Sequence, residues 1–236
     1  MMIKWPDIYN LYARYVPAII AALPVIILST FIKRDVWILL FDNTRFLIIE
    51  NLSSSLIGII FLIHVQRGLA KHLFENLIFK SGKEFPTTTM LLCTDNYLST
   101  EIKDKIRTKI KTDFAIQLRV LEQEQKDIEE AKKTIRDAVN LIRKQVKDGD
   151  KTLQYNIYYG FSRNLIAGTI FAIPVSILDA ILFGIQNKPG FCISIAMTIF
   201  FSFLLLFSKK ILKYFAYAYA ECLLSEFLMT KGVNHD

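Results

Sequence analysis

One stretch of the chain has the residue types of a phosphate-binding turn. It is KSGKEFPTTTMLLCTDN, residues 80–96, with Gly82 before Lys83, then Pro86 and three threonines. A Walker cradle requires GxxxxGK followed by Ser or Thr: backbone amides hold the phosphates, the lysine reaches them and the hydroxyl meets magnesium. Here the glycine spacing is absent, Glu84 stands at the hydroxyl position, and no strand pattern precedes the loop. The threonines after Pro86 read more simply as a helix start, because proline fixes φ and Thr87, Thr88 or Thr89 can accept from orphan amides. The loop is expected to be a docking or gating element, poorly equipped for catalysis.

Two acids, Glu50 and Asp179, fall inside apolar segments. A charge in hydrocarbon is costly and usually faces a bundle interior, a pore or a partner. As a pore-lining pair these two would favour cations. The blander alternative puts Glu50 at the headgroup level and Asp179 near the outer end of its helix. Cys93, Cys192 and Cys222 show no CxxC spacing, and His64, His72 and His235 are scattered, which argues against a zinc site or a disulfide framework. No nucleophile–base pair or paired-carboxylate motif stands out. The expectation is a protein that is not an enzyme and carries no cofactor.

The elements that must position these residues are read from charge segregation. The 236 residues are 53% hydrophobic, with 18 Phe and 10 Tyr. Between Gln66 and Arg163 stand 19 Lys/Arg and 14 Asp/Glu, whereas Tyr15–Ile32 and Phe191–Ser208 carry no charge. Such segregation predicts two solvents. Eighteen residues of helix span about 27 Å, close to a hydrocarbon core. Phe46–Val65 is a weaker second segment, and Asn164–Ile185, interrupted by Pro174 and Asp179, is a third. QNKPG at 186–190 reads as a tight turn before the fourth. The predicted fold is an all-α membrane protein, with four transmembrane helices as N- and C-terminal hairpins (1–65 and 164–208) around a helical cytoplasmic domain (66–163). Residues 209–236 form a cytoplasmic helix or tail.

Orientation follows from the distribution of Lys and Arg. The connecting loops 33–45 and 186–190 hold four basic residues in all, and the opposite side holds the rest. Both termini are thus expected in the cytoplasm. In the middle, residues 66–80 continue the second membrane helix, and Ser99 or Thr100 caps a new helix. Phe114, Leu121, Ile128, Ile135 and Ile142 then recur every seven residues, which predicts one long amphipathic helix over 113–148. Its stripe packs either within the chain or against a second copy.

Two motifs resemble a family of small bacterial membrane proteins. Arg67-Gly68, Lys71, Gly82, Pro86-Thr87-Thr88 and Leu91, followed by TDNYLS, are similar to an Arg-Gly-Lys region leading to Trp-Gly-Gly-x-Pro-Thr-Thr. YNIYYGFSRNL is similar to Glu-Asn-Ile-x-Tyr-Gly-Phe-Arg-Arg-Asn through Asn156, Ile157, Tyr159, Gly160, Phe161, Arg163 and Asn164. The likeness covers about residues 45–185. This chain departs from the pattern where Glu84-Phe85 expands the glycine turn, the Trp and one Gly are missing, Leu92 replaces an Arg, and Ser162 replaces the first Arg of the pair.

Members of that family resemble transmembrane effectors of anti-phage systems coupled to a retron reverse transcriptase and its RNA-linked DNA. The resemblance implies an inner-membrane toxin, held silent by that particle and permeabilising the bilayer on infection. It also implies that Arg67, Gly82, Lys83, Pro86, Thr87, Thr88, Asn156, Tyr159, Arg163 and Asn164 dock a partner or gate, with several of them on one cytoplasmic surface. The expected partners are the bilayer, the reverse transcriptase particle and a second copy through 113–148. The other readings are an ion channel or transporter-like protein and a membrane-anchored scaffold.

Overall fold

The computed structural model describes residues 5–40, 61, 63–80, 82–146, 149–184 and 187–230, with 5–7 and 29–40 as backbone alone. Among these residues every regular element is helical. α1 (Trp5–Asn10) passes through a π-helical turn (Leu11–Tyr15) into α2 (Val16–Leu40). A second π-helical stretch, Ala70–Glu75, leads to the short α3 (Asn76–Phe79), which is followed by α4 (Pro86–Thr89). Then come α5 (Thr100–Phe114), α6 (Leu121–Lys126), α7 (Ile128–Gln145), α8 (Asp150–Phe183), α9 (Lys188–Leu206) and α10 (Ser208–Met229). The chain forms two compact units, one of Met1–Phe74 with Gly160–Leu212 and one of Glu75–Tyr159 with Lys213–Asp236.

In the first, apolar unit lie the helical stretches long and apolar enough to cross a membrane: Ile8–Leu28, the apolar part of α8, and α9. The first begins earlier than the expected Tyr15, and α2 runs on through residues 33–40, where a loop was expected. Asn164–Ile185 is not a separate helix either. Its residues as far as Phe183 belong to the 34-residue α8, because nothing in TLQYNIYYGFSRN breaks a helix. At the other end α8 stops at Phe183, with Gly184 at φ +57°, and Asn187 caps α9, its side chain accepting from the Gly190 N–H at 3.4 Å. Pro189 therefore opens α9 rather than sitting in a turn. The Phe46–Val65 segment lies outside the described residues apart from 61 and 63–65.

α8 presents two faces within this unit. On one, Gly160, Asn164 and Gly168 recur every fourth residue and receive the N-terminal helix, whose Ala13, Ala18, Ala21 and Ala22 are all buried. A Cβ on Gly160 would stand 3.0 Å from that of Ala13, and one on Gly168 would stand 2.5 Å from that of Ala21. Small side chains let the two backbones approach, which is how helices pack where lipid removes the hydrophobic drive. On the other face Leu165, Thr169, Ala172, Ser176, Asp179 and Phe183 advance in steps of four and three. Gly190, Ser194, Met197, Phe201 and Leu204 do the same along α9. Leu165, Ala172 and Phe201 form the shared core. The outer side of α9 is oily: Ile193, Ile199, Phe200, Phe203 and Leu206 are exposed. An apolar exterior over a seam containing polar residues is the inverse of a water-soluble helix.

The second, charged unit has a conventional core. Ala131, Ile135, Ala138, Val139 and Ile142 line the buried face of α7, and Ala216, Ala220, Leu223, Leu224 and Phe227 that of α10. Each full burial of an Ile, Leu or Phe contributes about 1.5–3 kcal/mol. Residues 213–229 thus contribute to this unit's core. Ser99 caps α5, accepting from the Ile102 N–H at 3.4 Å.

The single helix expected over 113–148 is not formed. Ala115, in the left-handed region at φ +55°, closes α5, and the chain stays non-helical until Leu121. Asp127 leaves helical geometry again (φ −150°, ψ 84°) and caps α7, its Oδ1 accepting from the Glu130 N–H at 3.1 Å. The heptad stripe accordingly splits. Ile135 and Ile142 are buried inside the chain, while Leu121 and Ile128 remain 45% and 38% exposed.

Candidate functional site

In the charged unit the glycine–proline–threonine loop is a tightly tied turn. Lys80, at φ +45°, ends α3, and Gly82 follows at φ +81°. The Glu84 N–H returns to Phe79 O at 3.0 Å, and the Phe85 N–H donates to Gly82 O at 3.3 Å. This reversal drives Phe85 inward, 5.1 Å from the Phe79 ring and 5.5 Å from that of Tyr159. The Arg143 guanidinium lies 5.9 Å from both the Phe85 and the Tyr219 rings. Extended backbone at Phe85 then lets Pro86 open α4.

The expectation that the threonines cap this helix is corrected. Phe85 is the N-cap residue, and Thr87 and Thr88, each 1% exposed, sit inside the turn. Burial also means that Pro86, Thr87 and Thr88 offer no exposed docking face. The lysines of the turn are engaged by carboxylates. Lys80 meets Glu84 and Lys83 meets Glu129, each at 2.5 Å. Lys80 holds the Glu84 carboxyl below its ordinary range, and Lys83 does the same to Glu129. This is a turn that has spent its cations on its own acids.

Below it, buried charges fix the following segment. Lys103 donates to Leu92 O at 2.8 Å and also to Asp95 O. Arg107 donates to Leu91 O at 2.7 Å, to Arg119 O, and to Glu124 Oε1 at 3.3 Å. The other Glu124 oxygen accepts from the Cys93 N–H at 2.8 Å. Glu226 of α10 accepts from the N–H groups of Lys151 and Thr152 at 3.1 and 3.3 Å, placing a carboxylate on the N-terminus of α8. Burial pushes the Cys93 and Cys222 thiols above the usual range.

In the apolar unit, Asn164 has a role that its chemistry explains. Proline has no N–H, so Pro17 cannot donate to the carbonyl four residues earlier, that of Ala13. The chain widens into its π-helical turn there, and Asn164 Nδ2 donates to Ala13 O at 2.5 Å. Gln66 is buried against Gly168, and neither end of its amide has a hydrogen-bond partner. Asp179 is fully buried, with both carboxylate oxygens likewise unpartnered among the described residues. Asp179 thus lies in the last turn of its helix, which ends at Phe183, and is buried there.

The residues singled out from sequence sort by unit. Gly82, Lys83, Pro86, Thr87, Thr88, Asn156 and Tyr159 belong to the charged unit, and Arg67, Arg163, Asn164 and Asp179 to the apolar one. Lys83 and Arg67 are exposed, Asn156 and Arg163 half-buried, Tyr159 and Asn164 buried. Glu50 lies outside the described residues. Sequence reasoning missed Phe85 and Arg143, which organise the turn, and Arg107 and Glu124, which fix the segment after it. It also missed Ser176 and Ser194, although each interrupts an apolar run at seam spacing.

Among the described residues, fold and site together define an all-helical protein with three helices long and apolar enough to cross a membrane. No protein-family model, curated protein or solved structure matches the chain.

Proposed function

We propose that this chain is a membrane-embedded toxic effector of anti-phage defence, held inactive by a reverse transcriptase and its RNA-linked DNA and permeabilising the inner membrane when released. Support comes from one observation above all: helices with an oily exterior enclose polar side chains that have no partners among the described residues. A bundle of that kind gains by repacking, and a bound inhibitor with different contacts to the two packings would set the balance between them. The likeness of the Pro86-Thr87-Thr88 and Tyr159–Asn164 motifs to those of small bacterial effectors points the same way. In this reading α8 and α9 form a transmembrane hairpin, a second hairpin precedes residue 66, and both termini and the charged unit face the cytoplasm. The polar seam, with Asp179, is the part that opens.

Expression without a partner should collapse the membrane potential, read with a potential-sensitive dye, and kill the cell. Co-expression of the neighbouring reverse transcriptase and its RNA should restore growth. Harmless accumulation in the inner membrane, at levels where related effectors kill, would favour the scaffold reading instead.

A further inference from the structure

The geometry points to a binding site for a small monovalent cation, a proton or a sodium ion, formed by Ser176, Asp179 and Ser194. The inference rests on the reading of α8 and α9 as membrane-spanning and names what their polar seam would take. Ala172 and Phe201 belong to one core cluster. Asp179 lies seven residues after Ala172, and Ser194 seven before Phe201, so each stands two turns along the same face. A further four residues on, a Cβ at Gly190 would lie 2.7 Å from the Phe183 ring, which confirms the antiparallel register. Asp179 and Ser194 therefore face each other at one level, with Ser176 one turn away. All three are completely buried.

The donors in this layer are already used. Ser176 Oγ gives its hydrogen to Ala172 O at 2.7 Å, and Ser194 Oγ gives its own to Gly190 O at 2.9 Å. A hydroxyl has one hydrogen to donate, so both serines offer the seam lone pairs alone. Asp179 adds two unpartnered oxygens. Among the described residues acceptors meet acceptors, and what is missing is a positive centre.

No side chain of these elements supplies it. From Asn164 to Phe183 and from Phe191 to Leu206, Asp179 is the sole Asp, Glu, Lys, Arg or His. Lys188 and Cys192, the other titratable groups of α9, are both exposed. Of the basic residues of the N-terminal helix, Arg14 lies over the Tyr9 ring at 5.5 Å, and the side chains of Lys33 and Arg34 in α2 lie outside the described ones. A lone buried anion is strongly disfavoured, and one carboxylate with two hydroxyls matches a single positive charge better than calcium, which takes six to eight oxygens.

The test uses the full chain in sodium-free liposomes treated with dicyclohexylcarbodiimide, a lipid-soluble reagent for protonated carboxyls, with the modified peptide read by mass spectrometry. Flotation of the liposomes first establishes insertion. A chain that does not float overturns the membrane reading, whereas an inserted chain that stays unlabelled at Asp179 overturns this site alone. Asp179 is expected to label near neutral pH while the exposed Glu122 does not. Sodium that blocks the labelling identifies a sodium site. Labelling indifferent to sodium, and falling about tenfold per pH unit above its midpoint, identifies a proton site. Asp179→Asn should float as wild type and lose the label. Ser194→Ala should float, and should shift the pH midpoint or weaken sodium protection; unchanged values there would remove Ser194 from the site.

Discussion

The two units treat buried charges in opposite ways. In the charged unit Lys103, Asp113 and Glu124 are buried and Arg107 is half-buried, and every one is met by a carbonyl, an amide or an opposite charge. In the apolar unit Gln66 and Asp179 are buried as deeply and find no hydrogen-bond partner among the described residues. The charged unit also fills its core with Ile, Leu and Phe, while the apolar unit brings backbones together over Gly and Ala. Folding in water penalises an unsatisfied group at once, because the unfolded chain had it solvated. A helix already inserted in lipid has no such alternative, so an orphaned group can persist there and be put to use.

The contrast can be broken from either side. The largest effect is expected from Arg107→Ala, which strands Glu124 and should cost the charged unit about 3–5 kcal/mol. Denaturant titration of the detergent-solubilised chain, followed by circular dichroism, measures it. Next, Gly168→Leu should destabilise the apolar unit by about 1–3 kcal/mol, since the new side chain meets Ala21 Cβ and the Gln66 amide. Thermal unfolding in detergent should drop for this variant, whereas Gln66→Met, which removes an unpartnered amide, should leave it unchanged or raise it. Destabilisation by Gln66→Met would mean that the two units do not differ in the way described.

Smaller effects sharpen the picture. Glu226→Ala uncaps α8 and should cost about 1 kcal/mol in the same titration. Cys93 and Cys222 should alkylate slowly near neutral pH, because burial holds their thiols in the unreactive protonated form. Unfolding should remove that protection, and equal rates in folded and unfolded chains would refute it. Least of all, Lys83→Ala breaks an exposed pair with Glu129 and should leave the melting temperature unchanged.

How much of this was legible depended on the kind of signal. Uncharged runs marked the apolar helices, since hydrophobicity needs no knowledge of partners. Their ends were misplaced where polar residues such as Lys33, Arg34 and Tyr155 are equally good helix formers. Heptad spacing correctly chose Ile135 and Ile142 as core. It failed at Leu121 and Ile128, because a periodic count cannot register Ala115 in a left-handed conformation or Asp127 acting as a cap. The threonines drew notice for their hydroxyls, yet the turn exists to bury Phe85. That role depends on Tyr159, Arg143 and Tyr219, brought together by tertiary packing. Asp179 was visible from its charge alone. Its two serine neighbours became visible once the seam between α8 and α9 fixed their level.

The bond from Asn164 to the Ala13 carbonyl ties two distant positions into a single heritable unit. Pro17 creates the vacancy that Asn164 fills, so a lineage that replaced the proline with a residue bearing an N–H would free position 164 to drift. One that kept the proline would hold an amide there. Chains descended from a common ancestor with this one should therefore vary at the two sites in step.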